Sequence, residues 1–221
     1  MEIIATNQRN TRITIAGCGP GHADYITTAA HRAVAQAEVV VGAKHLLALL
    51  APSMSETAIK IAVGADIQAA LDTMERYPTQ QVVVLASGDT GLFSLARSVQ
   101  NHFGQQQCQL IPGISSIQVA CARLGIDWND LRILSAHGRK PQFEIDELRQ
   151  WHKIALLAGT SKATHFAADL LDQLGSDYRA VTCENLTWPT EQIRSLTAEE
   201  LRTTTLASRT IVLLLTEEFC A

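Results

Sequence analysis

No apolar run in this 221-residue sequence approaches the roughly 20 residues a membrane helix needs. The longest, such as 46–51 and 211–215, are far shorter, so no membrane span is expected. The N-terminus has no apolar stretch leading to a small-residue cleavage site, so nothing suggests export, and residues 1–11 read as a loosely held lead-in. The five cysteines (Cys18, Cys108, Cys121, Cys183 and Cys220) are odd in number and form no CxxC pair. They lie mostly in apolar runs, and buried free thiols in a reducing cytoplasm fit them better than zinc or redox roles. A surplus of positive charge is missing too: 18 Lys and Arg stand against 22 Asp and Glu, for a net charge of −4. No global field draws in nucleic acid, and any anionic ligand must be held by local donors. Gly-Lys-Ser/Thr is absent, which excludes a P-loop, and Ser161 lacks the GxSxG elbow of a hydrolase. Seven scattered histidines show no i,i+4 pairing or adjoining carboxylate cluster, so no metal is expected.

What is present is a rhythm. With 47% hydrophobic residues the chain can build a sizeable core. Strand-like runs at 12–17, 38–42, 58–62, 81–86 and 108–111 alternate with helical patterns near 26–36, 43–50, 66–76, 93–102 and 116–124. This is the signature of βαβ units and a largely parallel sheet. Thr27 or Thr28 and Asp66 are placed to cap helices, and Gly104 to end one. Beyond residue 130 the pattern changes. Strands at 131–135 and 153–158 precede helices near 144–151 and 162–174, and closely spaced strands follow at 179–184, 191–196 and 210–215. A short helix opened by the capping box Thr197–Glu200 interrupts them. Antiparallel pairing is expected there, giving an α/β lobe at 1–114, an α+β lobe at 115–221 and a cleft between them.

Three glycine-bearing loops leave the ends of strand-like runs: Gly17-Cys-Gly-Pro-Gly21, Ser87-Gly-Asp-Thr-Gly91 and Pro112-Gly-Ile-Ser-Ser116. Loops without Cβ atoms at such ends let a ligand reach main-chain N–H groups. The first is not a dinucleotide fingerprint. Its spacing is GxGxG, and the next strand ends in Gly42, where an acidic residue should take the ribose. It is either close backbone packing or simply a tight turn. Asp89 can orient a polar ligand, or make an Asx-turn or cap helix 93–102. Ser115 and Ser116 open a helix whose free N–H groups suit a carboxylate or sugar, with one serine as the N-cap. The segment Ser135-Ala-His-Gly-Arg-Lys140 is either a carboxylate site or a solvated loop.

The order GCGPGHADYIT, EVVVGAKHLL, VVVLASGDTGLFSLAR, LIPGISSIQVACARLGIDWND, SAHGR and CENLTWPTEQIRSLTAEEL resembles the tetrapyrrole (corrin/porphyrin) methylases. The likeness runs from about Arg12 to Thr216. SAHGR and ENLTWP…IRSLT are similar to the branch that methylates carbon 5 of a precorrin or cobalt-precorrin ring. The resemblance implies a class III methyltransferase of two αβα lobes, with a mostly parallel first sheet, a mixed second sheet and S-adenosylmethionine in the trough between. It implies cofactor contacts at Pro20, Ser87, Gly88, Asp89, Leu92, Ser115, Ser116, Ala158 and Leu196. No metal is implied, and no catalytic nucleophile, because methyl transfer from a sulfonium needs alignment more than covalent help. Two positions depart from the family pattern: Thr90 replaces a proline and His22 an aspartate. His137 and Arg139 are expected to anchor substrate carboxylates. A homodimer is implied, with carbon-15 methylation and decarboxylation on a separate polypeptide. The competing expectations are a tetrapyrrole methylase of other ring position and a non-catalytic nucleotide-binding subunit.

Overall fold

A computed structural model describes residues 11–64, 66–135 and 143–219. The chain divides into two compact units, Met1–Ser115 and Ser116–Ala221.

The first unit follows the sequence rhythm: β1 (Ile13–Gly17), α1 (Thr28–Ala35), β2 (Val39–Ala43), α2 (Lys44–Leu50), β3 (Ile59–Val63), α3 (Ile67–Met74), β4 (Val82–Ala86), α4 (Ala96–Phe103) and β5 (Cys108–Ile111). All five strands run parallel in the order β3-β2-β4-β1-β5. The central strand β4 is Val-Val-Val-Leu-Ala, buried throughout. Its continuous apolar character follows from having helices on both faces. Val83 and Leu85 pack with Ala30 and Val34 of α1 and Leu46 and Leu50 of α2. Val82, Val84 and Ala86 point the other way, to Leu71 and Met74 of α3 and Ala96 and Val99 of α4. The edge strand β3 is largely exposed.

Local chemistry sets the element ends. Thr27 accepts the Ala30 N–H and Asp66 the Ala69 N–H, each satisfying a helix-start donor. Gly104, at φ +89°, stops α4. The helix expected at 93–102 instead starts at Ala96, because Phe93 sits at φ +47° and breaks the register. The Ser94 hydroxyl then donates to the Thr90 carbonyl and accepts from Ala96 N.

The second unit comprises α5 (Ser116–Leu124), β6 (Leu131–Ser135), α6 (Ile145–Leu148), β7 (Lys153–Leu157), α7 (Ser161–Leu174), β8 (Tyr178–Glu184), β9 (Gln192–Leu196), α8 (Ala198–Thr203) and β10 (Thr210–Thr216). Its sheet has the order β6-β7-β10-β8-β9. The β6–β7 pairing is parallel and the β7–β10, β10–β8 and β8–β9 pairings are antiparallel, so the sheet is mixed. One face carries Ile154, Leu156, Ala180, Val212 and Leu214, packed with α7 and with Leu201 of α8. Helix α5 packs on β10. The helix expected at 144–151 is a single turn, and α8 opens with the full Thr197–Glu200 capping box. No helix among the described residues is long and apolar enough to cross a membrane.

Lys153, at the start of β7, is only 5% exposed. Its ammonium donates to the Asp127 carboxylate at 2.9 Å and the Asp127 carbonyl at 3.2 Å, and lies 4.7 Å from the Phe219 ring centre. The hydrogen bond from Lys153 is the main cause holding the Asp127 carboxyl below the usual carboxylate range. A carboxyl depressed on folding adds stability above its unfolded value and loses it as pH falls through the folded value. Asp127→Asn is therefore expected to melt lower than wild type at pH 7. That gap should close as acid protonates Asp127 in the wild type, which thermal unfolding between pH 7 and pH 2 will show.

Candidate functional site

In a parallel sheet, sites form beyond the carboxyl ends of the strands where neighbouring connections diverge. β1 meets that condition: its chain leaves toward β2 on one side, while β4 connects across it to β5 on the other. The three glycine loops follow β1, β4 and β5, so all three come together at this edge.

Their glycines have distinct reasons. A Cβ on Gly17 would lie 2.5 Å from Gly113 N and 2.8 Å from the Gly88 carbonyl oxygen. A Cβ on Gly113 would run into the same Gly88 oxygen and lie 2.7 Å from Gly17 C. These two glycines exist so that loops can touch one another, not so that a ligand can touch them. Gly19, at φ +71°, pairs with Gly88 in an antiparallel bridge, its N–H donating to the Gly88 carbonyl at 3.2 Å and its carbonyl accepting from Gly88 N at 2.8 Å. Gly88, at φ +67°, is different. The nearest atom to a Cβ there is Ser115 Cα at 4.0 Å, so this one backbone face is open. It is where a ligand can meet main chain.

Asp89 holds the cluster together. Its Oδ1 accepts Gly91 N at 2.7 Å, an Asx-turn, and its Oδ2 accepts Gly113 N at 3.0 Å across to the third loop. It does not cap α4. Each carboxylate oxygen retains a second lone-pair site. Ser87 is exposed, Leu92 and Pro20 are half-buried, and Ser115 is buried just before α5. Thr90, where the family pattern has proline, is 7% exposed and its carbonyl accepts from Ser94. His22, the other departure, accepts Asp24 N and starts a short turn. Cys18 in the first loop is fully buried, and burial pushes its thiol pKa up to about 12, so it is no nucleophile. Gly42 stands where a ribose-binding acid would be because its Cβ would meet Leu85 Cβ at 2.8 Å. Glu38, at the strand's other end, accepts Gln81 N.

The remaining expected contacts lie in the second unit. Ser116 opens α5. Ala158 follows β7, buried, with its N–H on the Thr210 carbonyl. Thr210 pairs with Glu184, which pairs with Gln192. Leu196 pairs instead with Ala180, level with Leu214 and Ile154. Along a strand that is about four residues, or roughly 13 Å, from the Ala158 end. The sheet thus sets Ala158 and Leu196 at opposite edges. His137 and Arg139 lie outside the described residues.

A model of the tetrapyrrole (corrin/porphyrin) methylases matches residues 12–202. The chain belongs to this family. It is 34% identical over 185 residues to the cobalt-precorrin-7 C(5)-methyltransferase of Salmonella typhimurium, covering 83% of this chain and 90% of that one. A solved precorrin-6Y methylase of cobalamin biosynthesis from Archaeoglobus fulgidus is 26% identical, with a TM-score of 0.72 over 94% of this chain and 99% of that one. Uroporphyrin-III C-methyltransferase from Thermus thermophilus, solved with S-adenosylhomocysteine, shares the fold at 18% identity, with a TM-score of 0.73 over 92% of each chain.

In this tetrapyrrole methylase one feature at the Ala158 edge was not assigned from sequence: the turn after β8. Asn185 and Thr187 have φ of +47° and +72°. A left-handed β-branched residue is a true outlier, costing on the order of 1–3 kcal/mol. The turn is held by Glu191, whose carboxylate accepts Thr187 N at 2.6 Å and Arg123 Nε at 2.6 Å. The Arg123 bond is the first cause holding the Glu191 carboxyl below its usual range. Its residues stand in the quoted ENLTWP segment, but strain of this kind is not written in composition.

The glycine roles differ in their cost of substitution. Gly88→Ala is expected to lose about 1–2 kcal/mol for a left-handed L-residue. Gly17→Ala and Gly113→Ala must force backbone apart and should lose about 3 kcal/mol or more. Urea unfolding midpoints of the three variants check this order.

Proposed function

We propose that this chain transfers the methyl group of S-adenosylmethionine to carbon 5 of a precorrin or cobalt-precorrin ring. The observation that carries the cofactor half is the loop cluster, in which Gly88 presents open backbone beside Ser87, Asp89 and Ser115. The residues fit such a ligand: a cradle without side chains at its centre, a carboxylate with spare lone pairs, and serine hydroxyls at a helix start. The carbon-5 half is supported by the 34% identity to a relative named for that reaction. The fold shared with a methyltransferase crystallised with S-adenosylhomocysteine supports the same cofactor.

When bound, the cofactor supplies an electrophilic methyl on a sulfonium. The chain's own part is to hold it. Main chain around Gly88 fixes the ligand without side-chain entropy, Asp89 keeps the second and third loops in register, and Leu92 and Pro20 border the loops with apolar surface that limits water. In-line transfer needs this alignment and exclusion more than acid–base help. Pro20, Ser87, Gly88, Asp89, Leu92, Ser115, Ser116 and Ala158 are the contacts proposed; Leu196 is given up because of its place at the far edge of its sheet. His137 and Arg139 remain proposed anchors for ring carboxylates. The reading includes a cytoplasmic homodimer, for which the free thiols Cys18, Cys108, Cys121 and Cys183 support a reducing compartment.

Titration calorimetry is expected to show S-adenosylhomocysteine binding and none of NAD or ATP. Incubation with labelled S-adenosylmethionine and candidate precorrins should place the new methyl on carbon 5 by NMR, and light scattering of the same sample should give twice the chain mass. A methyl on another ring carbon would replace the carbon-5 assignment; no S-adenosylhomocysteine binding would end the cofactor reading.

A further inference from the structure

The strained turn Asn185–Thr187 lies against Arg209, whose carbonyl accepts Asn185 N at 3.0 Å. Arg209 is exposed, and its guanidinium sits 5.0 Å from the centre of the Trp188 ring. Among the described residues it has no carboxylate partner, unlike Arg194, which pairs with the buried Glu184 one step down the strand, and Arg123, which pairs with Glu191. The Trp188 backbone is fixed in turn: its main-chain N–H donates to the Asn185 carbonyl at 2.9 Å and its carbonyl accepts Glu191 N at 2.9 Å. An arginine laid on an aromatic ring keeps its planar fork in one orientation and its charge weakly hydrated, ready for a carboxylate. The strain in the turn is retained because Glu191 over-determines it, and such strain collects where a surface must be presented in one shape.

Resting on the proposed reaction, we infer that Arg209, stacked on Trp188, anchors a carboxylate arm of the tetrapyrrole substrate, and that Glu191 is the positioning residue that holds this corner. Two features of the structure converge on it. The corner stands at the edge of the second sheet that also carries Ala158, since Thr210, next to Arg209, accepts the Ala158 N–H. Arg209 is a cation that lies on an aromatic face and, among the described residues, forms no ion pair. A bidentate guanidinium–carboxylate contact here reads one arm and so fixes which ring carbon is presented.

The test is steady-state kinetics of the purified full chain with a precorrin that the wild type methylates. Arg209→Met is expected to raise KM for the ring about tenfold, the loss of one charge-assisted contact. KM for S-adenosylmethionine and the melting temperature should stay near wild type. Arg209→Lys, which keeps the charge but not the stacked fork, should recover only part of the loss. Glu191→Gln, which retains an acceptor for Thr187 N, should raise the ring KM less than Glu191→Ala. A ring with esterified carboxylates should bind wild type and Arg209→Met equally weakly. An active wild type with an Arg209→Met ring KM within twofold of it would overturn the anchor, as would a rise in the cofactor KM instead. A wild type that methylates no precorrin would overturn the proposed reaction and the anchor with it.

Discussion

The contact on which the first unit depends is the approach of Gly17, Gly88 and Gly113 at the carboxyl ends of β1, β4 and β5. No side chain fits among them: Cβ atoms at Gly17 or Gly113 would lie inside van der Waals distance of neighbouring backbone. With the loops drawn this close, Asp89 can reach from the second loop to the N–H of Gly113 in the third, and Gly19 can bridge Gly88. The result is a surface made of main chain, held rigid from behind, with one face left open at Gly88. A sheet buried on both sides by α1, α2, α3 and α4 gives that edge its stiffness.

The second unit solves a related problem by other means. Where the first uses glycine to remove side chains, the turn after β8 forces Asn185 and Thr187 into the left-handed region and secures them with the Glu191 carboxylate. Arg123 of α5 completes the clamp. Charge does here what missing Cβ atoms do there: both fix a backbone shape that ordinary propensity would not choose. The thiols take no part. Burial pushes Cys18 and Cys183 up to about 12, which leaves them protonated fillers of the core.

Much of this was legible in the sequence, for identifiable reasons. Val82–Ala86 and Ile211–Leu215 are unbroken apolar runs because their strands are covered on both faces, and Thr27, Asp66 and Thr197 announced helix starts that the structure has. The parallel character of the first sheet followed from the alternation of strand and helix. Three things were not legible. The start of α4 depends on a positive φ at Phe93, which has no residue signature. The glycines look alike in sequence, yet Gly17 and Gly113 serve loop packing and Gly88 serves openness, a distinction set by strand register. Leu196 reads as a strand-end residue like Ala158, but β9 runs antiparallel to β8, so its end lies at the other edge of the sheet. Periodicity tells which residues share a face and is silent about which way a strand points.

The central claim is that open main chain at the Gly17–Gly88–Gly113 cluster receives the cofactor. Amide chemical shifts of the isotope-labelled chain, followed as S-adenosylhomocysteine is added, test it most directly. The account predicts that Gly19, Ser87, Gly88, Asp89, Gly113 and Ser115 shift together and saturate with one affinity, while Ser195, Leu196 and Thr197 stay in place. Saturable shifts at Leu196 with the glycine-loop amides unmoved would contradict it.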